Sequence, residues 1–317
     1  MELRNLGSSG LRVSAVGLGC NNFGARLDVE ATRRVVHRAL DLGITLFDTA
    51  DAYGNRGGSE TQLGEVLGGR RQDIVLATKF GWQMDDAGVL QGAARRYLTR
   101  AVEDSLRRLR TDWIDLYQLH KPDARTPLDE TLRALDDLVR HGKVRYIGCS
   151  NFAAWQVADA HWIARELGVS RFVSVQNEYS LLVRDPEAEL VPAMQHFGLG
   201  LLPYFPLAGG LLSGKYRRDA TLPPASRLTD TKRSADRFLT ERNWTAVERL
   251  RSLADTRGRE LLDVSIAWLL SRPAVASVIA GATRPEQIDA NVDAAAAKLD
   301  ADELAAIDHI TAPSQVG

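Results

Sequence analysis

With 317 residues, 44% of them hydrophobic and 26% charged, the chain has the balance of an ordinary globular fold with room for a large core. A formal net charge of −1 offers no broad basic surface, so neither nucleic acid nor a membrane is an expected partner. MELRNLGSSG at the start lacks a basic stretch followed by an apolar one, and the apolar run from 197 to 212 is broken by glycines and prolines; neither a secretory signal nor a membrane span is expected, and the cytoplasm is the expected compartment. Only Cys20 and Cys149 carry thiols, too few for a disulfide framework and unlike any zinc spacing, so no metal is expected.

Turn signals at Gly7–Ser8 and Gly10 predict a short amino-terminal β-hairpin, placed as a plug under the floor of the fold. Short apolar runs then alternate with amphipathic segments to the end of the chain. The predicted strands are Ala15–Gly19, Thr45–Thr49, Ile74–Lys79, Ile114–His120, Val144–Ser150, Phe172–Gln176, Gly200–Tyr204 and Ala276–Ala280. Asp28 is placed to cap a helix that buries Val35, Val36, Ala39 and Leu40 and ends at Gly43. Thr126, with Pro127 in the first turn, is read as the cap of a second helix that His141–Gly142 closes. A third runs from Ala153 to Leu167 and stops at Gly168. Trp155, Trp162, Trp244 and Trp268 fall in helical patterns and are expected in the core or between helices.

Eight βα units with no linker between them predict a single domain over 1–317, folded as a (β/α)8 TIM barrel. An open doubly wound sheet is the alternative. It would be expected to carry G-x-G-x-x-G after its first strand, and Gly17, Gly19 and Gly24 do not have that spacing.

In a barrel, the carboxyl ends of the strands gather the chemistry. Asp48 and Tyr53 in FDTADAYG, Lys79 in LATKF and His120 closing DLYQLH then meet at one rim. A lysine ending an apolar strand requires an acid nearby, and Asp48 ends the preceding strand. A phenol beside that ammonium is expected to titrate below its ordinary value of about 10, and an imidazole at the next strand end completes a pocket for protonating a carbonyl oxygen. Taken singly, Asp48 or Asp51 also suits a turn cap, and Tyr53 a surface aromatic; of the six histidines only His120 ends a strand.

Other segments admit two readings. GGLLSGKY (209–216) nearly spells a nucleotide-hydrolase phosphate loop, but Tyr216 stands where a short hydroxyl is needed; the segment suits either a diphosphate, held by glycine amides and Lys215, or a flexible loop at the rim. Arg284–Pro285 reads as a helix start, with the arginine either simply exposed or suited to a phosphate monoester, which favours NADPH while leaving NADH possible. Phe23 and Trp82 follow strands and serve either as walls of a substrate pocket or as packing.

RNLGSSGLRVSAVGLG, FDTADAYGNRGGSETQLG, AVEDSLRRLRTDWIDLYQLHKPD, GKVRYIGCSNF, PLAGGLLSGKY and GATRPEQIDAN, in this order, resemble the aldo-keto reductases over nearly the whole chain, and most closely the bacterial and Shaker-channel β-subunit-like branches. The resemblance implies a (β/α)8 barrel, an extended nicotinamide cofactor and the tetrad Asp48, Tyr53, Lys79 and His120. It further implies that Ser150, Asn151 and Gln176 hold the carboxamide of the nicotinamide, that Gly19 and Asp48 also contact the cofactor, and that Tyr204 stacks on the ring. Leu207, Gly210, Lys215 and Arg227 correspond to a loop around the pyrophosphate, and Gly281, Thr283, Arg284, Gln287 and Asn291 to the adenosine end. Ala290 departs from the acidic residue often found there, which implies weaker adenine contacts.

The expected activity is NADPH-dependent reduction of an aldehyde or ketone, with Tyr53 as general acid. One rival is an NADPH-binding redox sensor with slow turnover; the other is a barrel enzyme in which Lys79 forms a Schiff base. The short tail after Ile310 implies an open pocket.

Overall fold

The computed structural model of the protein describes residues 1–224 and 226–312, so part of the tail after Ile310 lies outside the described residues. Two short strands, β1 (Leu3–Asn5) and β2 (Arg12–Ser14), pair antiparallel as the expected hairpin. The alternation follows: β3 (Val16–Gly19), α1 (Val29–Asp41), β4 (Leu46–Asp48), α2 (Tyr53–Leu67), β5 (Val75–Phe80), α3 (Arg95–Leu109), β6 (Ile114–Leu119), α4 (Leu128–Arg140), β7 (Val144–Ser150) and α5 (Ala154–Leu167). The second half comprises β8 (Phe172–Gln176), α6 (Leu190–Phe197), β9 (Gly200–Leu201), α7 (Arg227–Asp230), α8 (Lys232–Phe238), α9 (Glu241–Thr256), α10 (Leu261–Leu270), β10 (Val278–Gly281), α11 (Pro285–Ala296) and α12 (Ala301–Thr311).

Strands β3 to β10 form one eight-stranded parallel sheet in the order β10-β3-β4-β5-β6-β7-β8-β9. It curls onto itself, because Leu201 donates to Ala274 O at 2.7 Å and receives the N–H of Ala276 at 3.0 Å. The fold is a (β/α)8 TIM barrel.

The strand period of two sorts the side chains. Leu46, Ala77, Leu116, Leu202 and Ile279 pack inside the barrel, whereas Phe47, Leu76, Tyr117 and Leu119 pack outward under the helices. Each fully buried leucine contributes about 1.5–3 kcal/mol. Leu6 and Val13 of the hairpin join the inner cluster, which makes the hairpin the barrel floor. Gly7 permits this seating: with φ 60°, it lies where a Cβ would come within 2.5 Å of Gly198 O.

Parity then fixes what the rim presents. Two residues beyond inward-facing Leu46, Ala77 and Leu116 stand Asp48, Lys79 and Gln118, and His120 follows Gln118 by two more. The strand register sets Asp48 beside Ala77 and Lys79 beside Gln118.

Several elements differ from expectation. The strand predicted over Gly200–Tyr204 ends at Leu201, since Pro203 has no N–H for a ladder, although Tyr204 N still donates to Asn177 O at 3.1 Å. The last strand is Val278–Gly281 rather than Ala276–Ala280, the earlier residues being used to close the barrel. Asp28 caps α1 as read, accepting from Ala31 N at 2.8 Å. Thr126 does not cap α4: its hydroxyl donates to Asp123 Oδ2 at 2.9 Å, and the helix begins after Pro127. Trp244 and Trp268 are buried and Trp155 is 67% exposed on α5, whereas Trp162, 52% exposed, still meets Phe197 of α6 edge-on with ring centroids 6.5 Å apart.

Candidate active site

The carboxyl ends of the strands open into a cavity of about 1080 Å³, running from Tyr53, Trp82 and His120 at one end to Arg284, Gln287 and Asn291 at the other. Single small-molecule pockets span about 300–1,000 Å³, so this one has room for an extended cofactor and a substrate together.

At its base Lys79 is fully buried, and its Nζ donates to Asp48 Oδ2 at 2.7 Å and to the Thr49 carbonyl at 2.9 Å. The second carboxylate oxygen of Asp48 accepts from Gln176 Nε2 at 2.9 Å and Gln118 Nε2 at 3.2 Å. Burial alone would depress the lysine's pKa, but Asp48 and Tyr53 more than offset it and hold the ammonium above its ordinary value. Lys79 is therefore a fixed cation behind the cavity wall.

Tyr53 stands directly in front, half-buried, with the Lys79 ammonium 5.1 Å from its ring centroid. The residues after it, Gly54 to Gly57, run through φ of 65°, 59°, 66° and 112° before the regular turns of α2 begin. Asn55 and Arg56 hold this left-handed turn at an energetic cost, which the packing around Tyr53 sustains. His120 meets the tyrosine edge-on, ring centroids 5.7 Å apart.

Tyr53 titrates above its ordinary value, not below it as expected. Burial raises its pKa above the ordinary phenol value, Lys79 lowers it and Asp48 raises it again; the net direction is up. The phenol is thus protonated throughout the neutral range, with the Lys79 cation offsetting only part of the rise. His120 goes the other way: burial, then Lys79 and Lys121, push its pKa well below the ordinary value, leaving a neutral imidazole at neutral pH.

Ser150 and Asn151 follow at the end of β7. Ser150 Oγ donates to the Gln176 carbonyl at 2.7 Å, and Asn151, at φ 61°, donates from its side-chain amide to His120 O at 2.9 Å. The Tyr204 hydroxyl donates to Asn151 Oδ1 at 2.8 Å. Gly19, Leu207, Gly210, Lys215 and Arg227 line the middle of the cavity, and Gly281, Thr283, Arg284, Gln287 and Asn291 its far end, where Arg284 caps α11. Gly209 and Gly210 are left-handed at φ 69° and 99°, and a Cβ on Gly209 would stand 2.8 Å from Leu228. Arg227 reaches across the mouth to Asn22 Oδ1 at 3.3 Å. A donor-rich lining that ends at a helix start fits an extended anionic dinucleotide.

Of the two aromatics read as pocket walls, Trp82 lines the cavity and Phe23 does not: Phe23 is fully buried in the main core, because its loop folds back so that Phe23 N meets the Cys20 carbonyl. Sequence reading missed Gln118, whose signal was its even spacing from His120 within an inward-facing strand. It also missed Lys121, Asn21 and Asn22, which line the cavity from loops. Asp51, read only as a turn cap, is buried beside Glu60 with Oδ1 unpartnered among the described residues. Burial and then Glu60 push its pKa up to about 8.

A parallel barrel whose strand ends converge a buried Lys–Asp pair, a phenol and an imidazole on a dinucleotide-sized cavity defines an NAD(P)H-dependent oxidoreductase. The Aldo/keto reductase family model matches residues 15–312, and the chain belongs to that family. It is 38% identical to "Uncharacterized oxidoreductase YrpG" of Bacillus subtilis, over 98% of this chain and 96% of that one. A "Probable voltage-gated potassium channel subunit beta" of Oryza sativa is 37% identical, with 93% of this chain and 91% of the other covered. "L-glyceraldehyde 3-phosphate reductase" of Escherichia coli is 34% identical, over 93% of this chain and 87% of its own. Carbonyl reduction is accordingly the general chemistry of the fold's relatives. Among the described residues no helix is long and apolar enough to cross a membrane.

Proposed function

We propose that the protein, acting as one domain, reduces aldehydes or ketones to alcohols with NADPH, and that Tyr53 is the proton donor. The observation that carries this is the fully buried Lys79 ammonium, locked 2.7 Å from Asp48 and set behind a half-buried phenol. When bound, the cofactor supplies hydride to the carbonyl carbon. His120, neutral and edge-on to Tyr53, hydrogen-bonds and orients the carbonyl oxygen. The Tyr53 hydroxyl gives its proton to that oxygen as negative charge develops, and Lys79 stabilises the phenolate that remains. Asp48, pinned by Gln118 and Gln176, keeps the ammonium in place while offsetting only part of its field at the phenol. Ser150, Asn151 and Gln176 would hold the carboxamide, Tyr204 the nicotinamide ring, Leu207, Gly210, Lys215 and Arg227 the diphosphate, and Thr283, Arg284, Gln287 and Asn291 the adenosine end. Arg284 is exposed and suits the phosphate monoester of NADPH.

The geometry speaks against Schiff-base chemistry at Lys79, whose amine is charged, sealed from the cavity and fully engaged. The similarity to channel β subunits keeps a second reading in play, a redox sensor that holds NADPH and turns over slowly. A panel of aldehydes, ketones and sugars assayed with NADPH and NADH in parallel tests both. Sustained loss of dihydronicotinamide absorbance, faster with NADPH, is expected; a single burst without turnover supports the sensor, and no oxidation with any carbonyl overturns the reductase.

A further inference from the structure

We propose that the front of the cavity selects carbonyl substrates that carry an anionic group, carboxylate or phosphate, a short chain away from the carbonyl carbon, and that Lys121 receives that group. The proposal rests on the carbonyl-reductase reading above and deepens it to a substrate class.

The cavity's cations divide by position and by engagement. Arg26 is paired with Asp230, and Arg227 donates to Asn21 and Asn22. Lys215 and Arg284 stand on the side read as cofactor-binding. Lys121 is different: it follows His120 directly, at the end where the carbonyl is reduced. Its ammonium lies 4.1 Å from the Trp82 ring centroid, and the same indole meets His120 edge-on at 5.7 Å. Among the described residues that ammonium has no carboxylate partner and no hydrogen bond.

Neighbouring acids are already engaged. Asp48 holds Lys79; Asp123 accepts from Ala93 N, Thr126 and Arg125; Glu178 pairs with Arg237. The acidic side chains that line the cavity are Asp48, neutralised by Lys79, and Glu286 at the far end. His120 and Tyr53 are both neutral at neutral pH, so Lys121 leaves the front of the cavity with a net positive charge. Its field reaches the imidazole, where it counts among the causes that depress the His120 pKa. A half-buried ammonium held against an aromatic wall, next to the group that orients the carbonyl, is complementary to an anion on the same small molecule. Lys121 and His120 both meet the one Trp82 indole, which keeps the two points within the reach of a small molecule.

The experiment compares matched pairs with the whole protein and NADPH: succinic semialdehyde with its methyl ester for the carboxylate arm, and glyceraldehyde 3-phosphate with glyceraldehyde for the phosphate arm. A charge-assisted contact corresponds to about a tenfold gain in kcat/KM for the charged member of at least one pair; which pair shows it distinguishes carboxylate from phosphate. Lys121→Gln should remove most of that ratio, Lys121→Glu should invert it, and Lys121→Arg should keep it; added salt should erode it. Neutral and charged members reduced alike by the native protein, or a preference unchanged in Lys121→Gln, overturns the anion proposal while leaving the reductase intact. If none of the four is consumed, the reductase reading is judged by the wider panel of aldehydes, ketones and sugars. Calorimetric titration of the NADPH-loaded protein with glycerol phosphate and succinate then decides separately: binding abolished by Lys121→Gln supports the anion site, and equal or absent binding in both proteins overturns it.

Discussion

The back wall of the cavity and its mouth are built on different physical terms. At the back, Asp48, Lys79, Gln118, Gln176 and Ser150 all come from strand ends, all are buried, and Lys79 and both carboxylate oxygens of Asp48 are held in hydrogen bonds. At the mouth, Trp82 and Lys121 come from loops and are partly exposed, with the indole meeting the Lys121 ammonium and the His120 ring. Buried charge must be paired where it stands, so the back wall admits few alternative arrangements. A loop carries no such obligation, and the mouth is where one barrel can exchange substrates without disturbing its chemistry.

Breaking the back wall should have the largest effect. Lys79→Met strands Asp48 as an unpaired buried carboxylate, and about 3–5 kcal/mol of stability is expected to go with it, read from denaturant unfolding. Lys79→Met combined with Asp48→Asn should recover a good part of that loss while reduction stays abolished. If the single variant unfolds like the native protein, the claim of a tightly held back wall fails.

The far end gives a smaller effect. Arg284→Ala should raise KM for NADPH about tenfold, the equivalent of one charge-assisted contact, with much less change for NADH. Equal losses with the two cofactors would remove Arg284 as the discriminating group.

Asp51, buried beside Glu60 and outside the cavity lining, gives an effect that depends on pH. Its folded-state pKa of about 8 lies above the unfolded value of about 3.9. The stability it contributes is therefore full below about pH 4 and is lost as pH climbs to about 8. Asp51→Asn should accordingly gain on the native protein in thermal melts between pH 5 and 8, and a difference that stays constant with pH would contradict the raised pKa of this buried carboxyl, whose Oδ2 accepts from Tyr97 at 3.3 Å but whose Oδ1 has no partner among the described residues. The smallest effect belongs to the outer surface, where Trp155→Ala should change stability by no more than about 0.5 kcal/mol because the ring is exposed; a large loss would restore it to the core.

The same division explains what could be read from the sequence. Asp48, Lys79 and His120 announce themselves because a charged or polar residue ending an apolar run is costly unless it has a site to serve. The barrel was legible in the alternation of strands and helices, and β7 and β8 have the predicted bounds. Gln118 was overlooked although it obeys the same parity, since an uncharged amide inside a strand raises no alarm. The helical pattern around Trp155 does not show which side of α5 meets the core, and Phe23 suits a pocket wall and packing equally until its loop is folded by hydrogen bonds that no side-chain pattern records. The direction of the Tyr53 pKa was misjudged for a related reason: the lysine's lowering influence is evident from composition, but the larger cost of burying a phenolate depends on packing that only the fold reveals.

Tyr53→Phe decides the central claim. In a single turnover with NADPH and a neutral aldehyde, removal of the phenol oxygen should slow reduction by about 10²–10⁴-fold, the range for loss of a positioned general acid, while fluorescence titration returns a cofactor affinity close to native. Native-like turnover in that variant would contradict the account, because the proton would then have to come from somewhere other than the hydroxyl that Lys79 backs.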